Sequence, residues 1–198
     1  MKLLVVGAHP DDCEIGAGGF IALNDSVIVA VNNGANDSRS WLIARDEMEK
    51  SAEILGCKCL IWDYPMDVHC SAQLVSRIDE VIRENGIDTL VTHFVDDTNQ
   101  AHREVAETSI SAGRYVKNIL MMEPSPPGGR SWQAFRPQLY VDISAIHSVK
   151  LEALKAYKTQ IDKYGESWLT GLTGRELVRG WEAGVKRAEV FEVIRMRI

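Results

Sequence analysis

Apolar residues along this chain gather into short unbroken runs, and between the runs they recur at helical spacing. Leu3 to Val6 has the length and continuity of a strand buried on both faces. Ser26 to Val31, Cys57 to Trp62, Thr89 to Phe94 and Asn118 to Met122 share that character. Between them, Glu14 to Leu23 predicts a helix rich in small residues. Trp41 to Leu55 predicts an amphipathic helix stopped by Gly56. Leu74, Ile78, Val81 and Ile82 recur at helical spacing until Asn85-Gly86, and Arg103 to Arg114 predicts a further helix. Strand and helix thus alternate through five cycles. That alternation predicts an α/β protein: a three-layer, Rossmann-like fold with a mainly parallel sheet, right-handed crossovers and helices on both faces.

The tail has a different rhythm. Pro124 to Gly129 is a breaker-rich loop. Gln138 to Ile143 predicts a strand, and Ser144 to about Ile161 a helix. Leu169 to Gly174 reads as a loop and Glu176 to Lys186 as a helix. Val190 to Ile198 alternates loosely, which predicts a last strand at the sheet edge. No repeat, low-complexity tract or linker divides the chain, so residues 1–198 are expected to form a single domain.

Composition narrows the function classes. The net charge of −6 argues against a nucleic-acid surface, which needs a basic patch. No apolar run approaches the ~18 residues of a membrane span. The chain enters a strand at once, so no signal peptide is expected. Cys13, Cys57, Cys59 and Cys70 form no CxxC pair, which suits reduced thiols and a cytoplasmic location. Cys57 and Cys59 alternate, so both are expected to face one side as small buried residues.

The chemistry concentrates where the first strand ends. Gly7 is followed within a few residues by His9, Pro10, Asp11, Asp12 and Glu14. In an open parallel sheet, ligands bind beyond the carboxyl ends of the strands. If the first and fourth strands are neighbours, the loops carrying His9, Asp12 and His102 converge. Two imidazoles and one carboxylate form a three-ligand set with a position open for water. Zinc in such a set lowers the pKa of its water to about 7. Iron(II), cobalt or manganese would also be accepted. Consecutive side chains in a non-helical turn point apart, so Asp12 can bind the ion while Asp11 faces the water. Asp11 can then take a proton and hand it to a leaving amine. Pro10 limits the mobility of the turn. The plainer alternative is that these aspartates cap a helix and that His9 is satisfied locally.

The string Ala8-His9-Pro10-Asp11-Asp12-Cys13-Glu14, followed by Gly16-Ala17-Gly18-Gly19, closely resembles the opening motif of the PIG-L/LmbE-like family. These are zinc-dependent N-deacetylases acting on N-acetylglucosamine-containing substrates. The resemblance continues in Glu47 with Ala52 to Gly56, and in Thr92-His93, Asp97-Thr98 and His102-Arg103. It extends through Phe135 to Ser144, Lys150 to Gln160, and Arg179 to Phe191. It implies that His9, Asp12 and His102 are the zinc ligands and Asp11 the general base. The implied substrate is a small N-acetylated amino sugar or sugar conjugate. The chain departs from the family at Asn99, where a histidine usually steadies the oxyanion, and at Ala101, where an aspartate usually stands. An asparagine amide can donate to an oxyanion but cannot deliver a proton. Asn99 is therefore the candidate neutral donor. The alternative is a metal-binding relative whose deacetylase activity is altered or lost. His93 or His69 is a candidate compensating imidazole, or neither has a role.

Other candidates keep two readings each. Asn33, Asn36 and Arg39 lie beyond the second strand and suit sugar hydroxyls, although turn chemistry also explains the asparagines. Asp97, like His93, is a candidate ligand-binding residue, or it caps the next helix. Glu14 supports the site or is simply an acid in a first helical turn. Trp132, Trp168 and Trp181 stack on sugar rings or pack in the core and rim. A homo-oligomer is compatible with this fold. A dinucleotide site is disfavoured, because Gly16-Ala17-Gly18-Gly19 lacks the G-x-G-x-x-G spacing directly after the strand.

Overall fold

The computed structural model describes residues 1–36 and 39–197. Asp37 and Ser38 of the polar loop, and Ile198 at the end of the expected last strand, lie outside the described residues. Seven strands form one sheet: β1 (Lys2–Gly7), β2 (Asp25–Asn32), β3 (Lys58–Tyr64), β4 (Thr89–Thr92), β5 (Asn118–Met122), β6 (Leu139–Asp142) and β7 (Ala188–Arg195). Their order is β3-β2-β1-β4-β5-β7-β6. The first five strands are parallel, with Leu3 set between Ser26 and Thr89. The helices are α1 (Asp12–Ala22), α2 (Trp41–Leu55), α3 (Ala72–Asn85), α4 (Gln100–Ala112), α5 (His147–Lys155), α6 (Lys158–Tyr164) and α7 (Ser167–Ala183).

β1, β2, β4 and β5 read as unbroken apolar runs because both faces are covered. Leu3 and Val5 pack into one core with Ile21, Met48, Leu55, Leu154 and Leu172, residues of α1, α2, α5 and α7. Leu4 and Val6 pack into the other with Leu74, Ile78 and Val105 of α3 and α4. This is the three-layer arrangement the alternation predicts. It follows from right-handed crossovers that change face where the chain leaves β3 for β4. Cys57 and Cys59 both pack against the first of these cores, on one side as expected, but are only half-buried. The helix stops at Gly56 and Gly86 are the ones expected, and the structure adds N-caps at Ser40 and Ser71. Ser40 and Ser71 accept from Ile43 and Leu74, and Gly56 and Gly86 end α2 and α3 in the left-handed conformation.

Three expectations for the tail are corrected. The helix expected from Ser144 to Ile161 is two helices, broken at Ala156 and Tyr157. Tyr157 is fully buried there and donates its hydroxyl to Glu14 at 2.6 Å. The loop expected at 169–174 lies inside α7, because Leu172 anchors that segment in the core while its two glycines face open space. The last strand is not at the edge. β7 is inserted antiparallel between β5 and β6, and β6 takes the edge. Glu189 and Glu192 of this inserted strand are buried and paired, with Lys150 and Arg136 respectively.

Glu189 also explains a kink in α1. Ala17 leaves the helical conformation at φ −146°, which frees two amides. Gly19 and Phe20 donate them to the Glu189 carboxylate at 2.7 and 2.8 Å. Lys150 Nζ meets the same carboxylate at 2.7 Å and takes the Ile15 carbonyl at 3.0 Å. A side chain inserted into the helical ladder is a recognised cause of such a bend.

Candidate active site

β1 and β4 are adjacent and parallel, so their following loops open onto the same crevice. Asp12 stands at its centre as the first residue of α1. Gly7 makes this approach possible, since a Cβ there would lie 2.8 Å from Asp12 Cβ. Asp12 Oδ2 accepts the His9 backbone amide at 2.7 Å and lies 3.2 Å from His9 Nδ1. His102 Nε2 lies 3.5 Å from Asp12 Oδ1. One donor atom each from His9, Asp12 and His102 falls within 4.8 Å of the others.

A supporting layer fixes this group. Asp97, 1% exposed, holds His102 Nδ1 at 3.0 Å and accepts the Asn99 amide at 2.8 Å. Its hold on Nδ1 turns His102 Nε2 towards Asp12. His93 stacks on His102 with ring centroids 3.9 Å apart. Its Nε2 accepts the Ala8 amide at 2.9 Å and lies 3.2 Å from Asp12 Oδ2. The backbone donor is fixed, so we assign His93 Nε2 as an acceptor and the ring as neutral. His93, Asp97 and His102 also form a cluster of possible ligands. It shares His102 with the first set, and its Asp97 contact is an orienting hydrogen bond.

The charges follow from these contacts. Burial opposes ionisation of Asp12, but His102 and His9, with the His9 hydrogen bond, outweigh it and hold its carboxyl well below the usual range. Burial also works against a charged His102, and Asp12 with Asp97 overcomes it and raises that pKa. Burial and then His102 push His93 down. Asp11 goes the other way: burial and the Asp12 charge drive its carboxyl well above the usual range, while Arg39 draws it back. Asp11 is also the one non-glycine among the described residues with positive φ, at 121°. Such a conformation costs about 1–3 kcal/mol and is retained where the surroundings impose it. Here it turns the chain from Pro10 into α1.

Asp11 lines a cavity of about 360 Å³ together with His9, Asp12, Asn36, Arg39, His93, Asp97, Asn99 and His102. These nine candidates therefore reach one space. Arg39 is 5% exposed, donates Nε to the Gly34 carbonyl at 3.1 Å and lies 3.5 Å from Glu47. Gly34 has φ +67° and leaves room for Pro10, whose Cδ a Cβ would meet at 2.8 Å. Asn36 pairs with Arg39 through their backbones. Asn99 Oδ1 caps α4 at the Ala101 amide, 3.0 Å away, and Nδ2 makes a long 3.4 Å contact with the Gly128 carbonyl.

The remaining candidates separate. Trp168 forms part of the cavity wall, whereas Trp132 and Trp181 are exposed. His69 is 70% exposed and faces Glu104, so it brings no imidazole to the crevice. Asn33 bonds Asp63, and Glu14 lies beneath the site on Tyr157. Sequence reasoning missed Gln160, Lys163 and Tyr164, which α6 contributes to the cavity. Their only signal is the break at Tyr157, hidden within an apparently continuous helical pattern.

The family model described as PIG-L, GlcNAc-PI de-N-acetylase, matches residues 4–112. That span is more than half the chain and contains both loops of the crevice. The chain belongs to the PIG-L family. This PIG-L protein is 31% identical over 172 residues to the uncharacterized deacetylase YaiS of Escherichia coli K12, covering 79% of this chain and 90% of that one. It is 28% identical to the diacetylchitobiose deacetylase of Thermococcus kodakarensis, over 95% of this chain and 81% of the relative. Its fold superposes on the N,N'-diacetylchitobiose deacetylase of Pyrococcus horikoshii with a TM-score of 0.82 at 22% identity, covering 98% and 83% of the two chains. Membership makes this PIG-L protein a deacetylase-type enzyme, a hydrolase acting on amides. No helix among its described residues is long and apolar enough to cross a membrane.

Proposed function

We propose that residues 1–198 act as one metal-dependent N-deacetylase domain that removes acetyl from a small N-acetylated amino sugar or sugar conjugate. The observation that carries this reading is the meeting of His9, Asp12 and His102 beside Asp11 in one cavity. The donor set fits a transition ion. One donor atom from each of His9, Asp12 and His102 lies within 4.8 Å of the others, with His9 Nδ1 3.2 Å from one Asp12 oxygen and His102 Nε2 3.5 Å from the other, and two imidazoles with a carboxylate are ligand types zinc takes. Zinc is the ion we assign. When bound, it supplies a Lewis acid for the acetamide carbonyl and an activated water at neutral pH.

The protein's own groups then do the following. Asp11 takes a proton from the attacking water and delivers it to the departing nitrogen. A carbon–oxygen bond forms, the carbon–nitrogen bond breaks, and acetate and a free amine leave. Positive charge opposite Asp11, from Arg39 and the bound ion, favours the ionised carboxylate that this role needs. Asp97 keeps His102 in the tautomer that presents Nε2. Asn99 Nδ2, held only by its long contact with Gly128, is the donor we assign to the acyl oxygen. Arg39 and Asn36 bind the sugar portion. The diacetylchitobiose deacetylase relative supports an amino-sugar substrate. The test is acetate release from N-acetylglucosamine-type substrates by zinc-loaded protein, abolished in Asp11→Asn; no release from any such substrate by loaded protein overturns the reading.

One observation favours a second reading. Asn99 Oδ1 is committed to capping α4, and its amide carries no proton for delivery. A protein that binds the ion but hydrolyses another amide, or none, would look the same here. Asn99→His with Ala101→Asp separates the two. Acetate release by the unmodified chain supports the first, and release only by the double variant supports the second.

A further inference from the structure

α6 turns Gln160, Lys163 and Tyr164 to the cavity, three and four residues apart on one face of the helix. Gln160 is 8% exposed, yet among the described residues its carboxamide meets no hydrogen-bond partner. Buried amides are normally paired, so one that faces a cavity unpaired is a donor and acceptor held for a ligand. Lys163 holds its ammonium 4.7 Å from the centre of the Tyr164 ring and forms no ion pair with a described residue. The other charges on the lining, Asp11 apart, are matched. Arg39 lies 3.5 Å from Glu47, and Asp12 and Asp97 are taken by the histidines. Glu123, just after β5, pairs with Arg179 and lies 3.6 Å from Arg175, so its charge does not turn an anion away.

We propose, resting on the N-deacetylase reading above, that this face of α6 is a specificity subsite and that the substrate is an amino sugar carrying an anionic substituent, a phosphate or a carboxylate, away from its acetamide. Lys163 pairs with the charge, and Gln160 hydrogen-bonds the substituent or a hydroxyl beside it. A neutral sugar would use Gln160 and leave the ammonium without a counter-charge. Charge-assisted bonds of this kind are roughly twice as strong as neutral ones. The subsite is held in place before a ligand arrives. Thr159 donates its amide and hydroxyl to Glu47 at 2.8 and 2.7 Å, and Tyr157 its hydroxyl to Glu14 at 2.6 Å, so the start of α6 is fixed to the helices beneath the site. Size limits the substituent. A cavity of about 360 Å³ stands near the small end of the ~300–1,000 Å³ usual for ligand sites, which suits one sugar with a short substituent. Trp168 and Ile15 supply apolar wall beside the polar pair.

The test compares acetate release by zinc-loaded protein from N-acetylglucosamine, its 1-phosphate, its 6-phosphate and its glycoside with glycolic acid. At least one anionic substrate should exceed the neutral sugar about tenfold in kcat/KM, and which one leads tells phosphate from carboxylate. Lys163→Met should cut the anionic-to-neutral ratio about tenfold, and Lys163→Glu should bring it below one. Gln160→Leu should act more on KM than on kcat for the favoured substrate. Added salt should shrink the preference. Lys163 is exposed, so its variants should fold, as circular dichroism would verify. Calorimetry with glucosamine and the corresponding anionic amines reads the same subsite without turnover. Binding of an anionic amine that depends on Lys163, with no acetate released from any substrate, would sink the deacetylase reading and keep the subsite. Acetate release with equal kcat/KM for neutral and anionic sugars, or a preference that survives Lys163→Glu, would overturn the subsite and leave the deacetylase reading standing. Neither release nor Lys163-dependent binding would overturn both.

Discussion

Asp97→Asn isolates the support beneath the metal set. The carboxylate performs two acceptor tasks in a buried place: Oδ2 holds His102 Nδ1 at 3.0 Å and Oδ1 holds the Asn99 amide at 2.8 Å. An asparagine of the same shape has one oxygen for the two. The Asn99 amide is a fixed backbone donor, so the new oxygen serves it and the new NH₂ group faces His102 Nδ1. His102 must then accept at Nδ1 and carry its proton on Nε2, the atom turned towards Asp12, and a protonated nitrogen cannot ligate. Restoring the right tautomer leaves two donors facing each other, a cost of about 1–3 kcal/mol for a buried unmade bond. Loss of such an orienting partner typically lowers metal affinity 10–100-fold. At 1.4 kcal/mol per decade, that range is about 1.4–2.8 kcal/mol, so the two estimates agree. Removing a negative charge near the cation acts in the same direction. The assay is competition for zinc against a chromophoric chelator, with urea unfolding of the metal-free protein to separate affinity from stability. Zinc affinity within twofold of the parent protein would refute the orienting role of Asp97 and weaken the ligand assignment of His102.

Four other outcomes are expected. Asp11→Asn should lower acetate release about 10²–10⁴-fold while leaving zinc affinity, by the same chelator assay, nearly unchanged. Asn99→His with Ala101→Asp should change turnover and also remove the cap of α4, costing about 1 kcal/mol by urea unfolding. Lys150→Met leaves the buried carboxylates of Glu189 and Glu176 without the cation that lies 2.7 and 2.9 Å from them. That should cost about 3–5 kcal/mol and lower the melting temperature by roughly 6–20 °C; a smaller loss would mean that water or Arg187 compensates. Burial pushes the Cys57 thiol up to about 12, whereas Cys70 is exposed. A raised thiol pKa means less thiolate at a given pH, so at pH 8 a maleimide should modify Cys70 long before Cys57, as peptide mass spectrometry would show.

The parts that were legible in the sequence share a cause. β1, β2, β4 and β5 are buried along nearly their whole length, and burial on both faces writes an unbroken apolar run. The turn after β1 was legible because His9, Asp11 and Asp12 are unusual residues for a strand end, and the pairing of β1 with β4 then brings His102 to them. The tail was less legible because its elements are held by buried polar contacts. Nothing in the local pattern marks Glu189 and Glu192 of β7 as buried, yet one caps the kink of α1 and the other binds Arg136. Tyr157 reads as one more apolar position in a helix, yet its bond to Glu14 accompanies the break that turns α6 towards the cavity. Alternation and periodicity record burial of apolar groups and carry no mark for a buried pair whose partners lie 143 residues apart.

That contrast bears on how the site is divided. The proposed donor set and Asp11 all fall within residues 4–112, the span the family model matches. The facing wall comes from Gln160, Lys163, Tyr164 and Trp168, outside it. Two contacts tie the start of α6 to that span. Tyr157 reaches Glu14, two residues beyond Asp12, and Thr159 donates its amide and hydroxyl to Glu47 at 2.8 and 2.7 Å. Glu47 in turn lies 3.5 Å from Arg39. A substitution on the cavity side of α6 therefore alters the space offered to a substrate without touching Asp12 or His102. Loss of Glu47 would do more, because it frees Arg39 and the start of α6 together. The wall is thus adjustable in shape but fixed in position, so substitutions there would change which substrate fits while leaving the proposed hydrolytic groups in place.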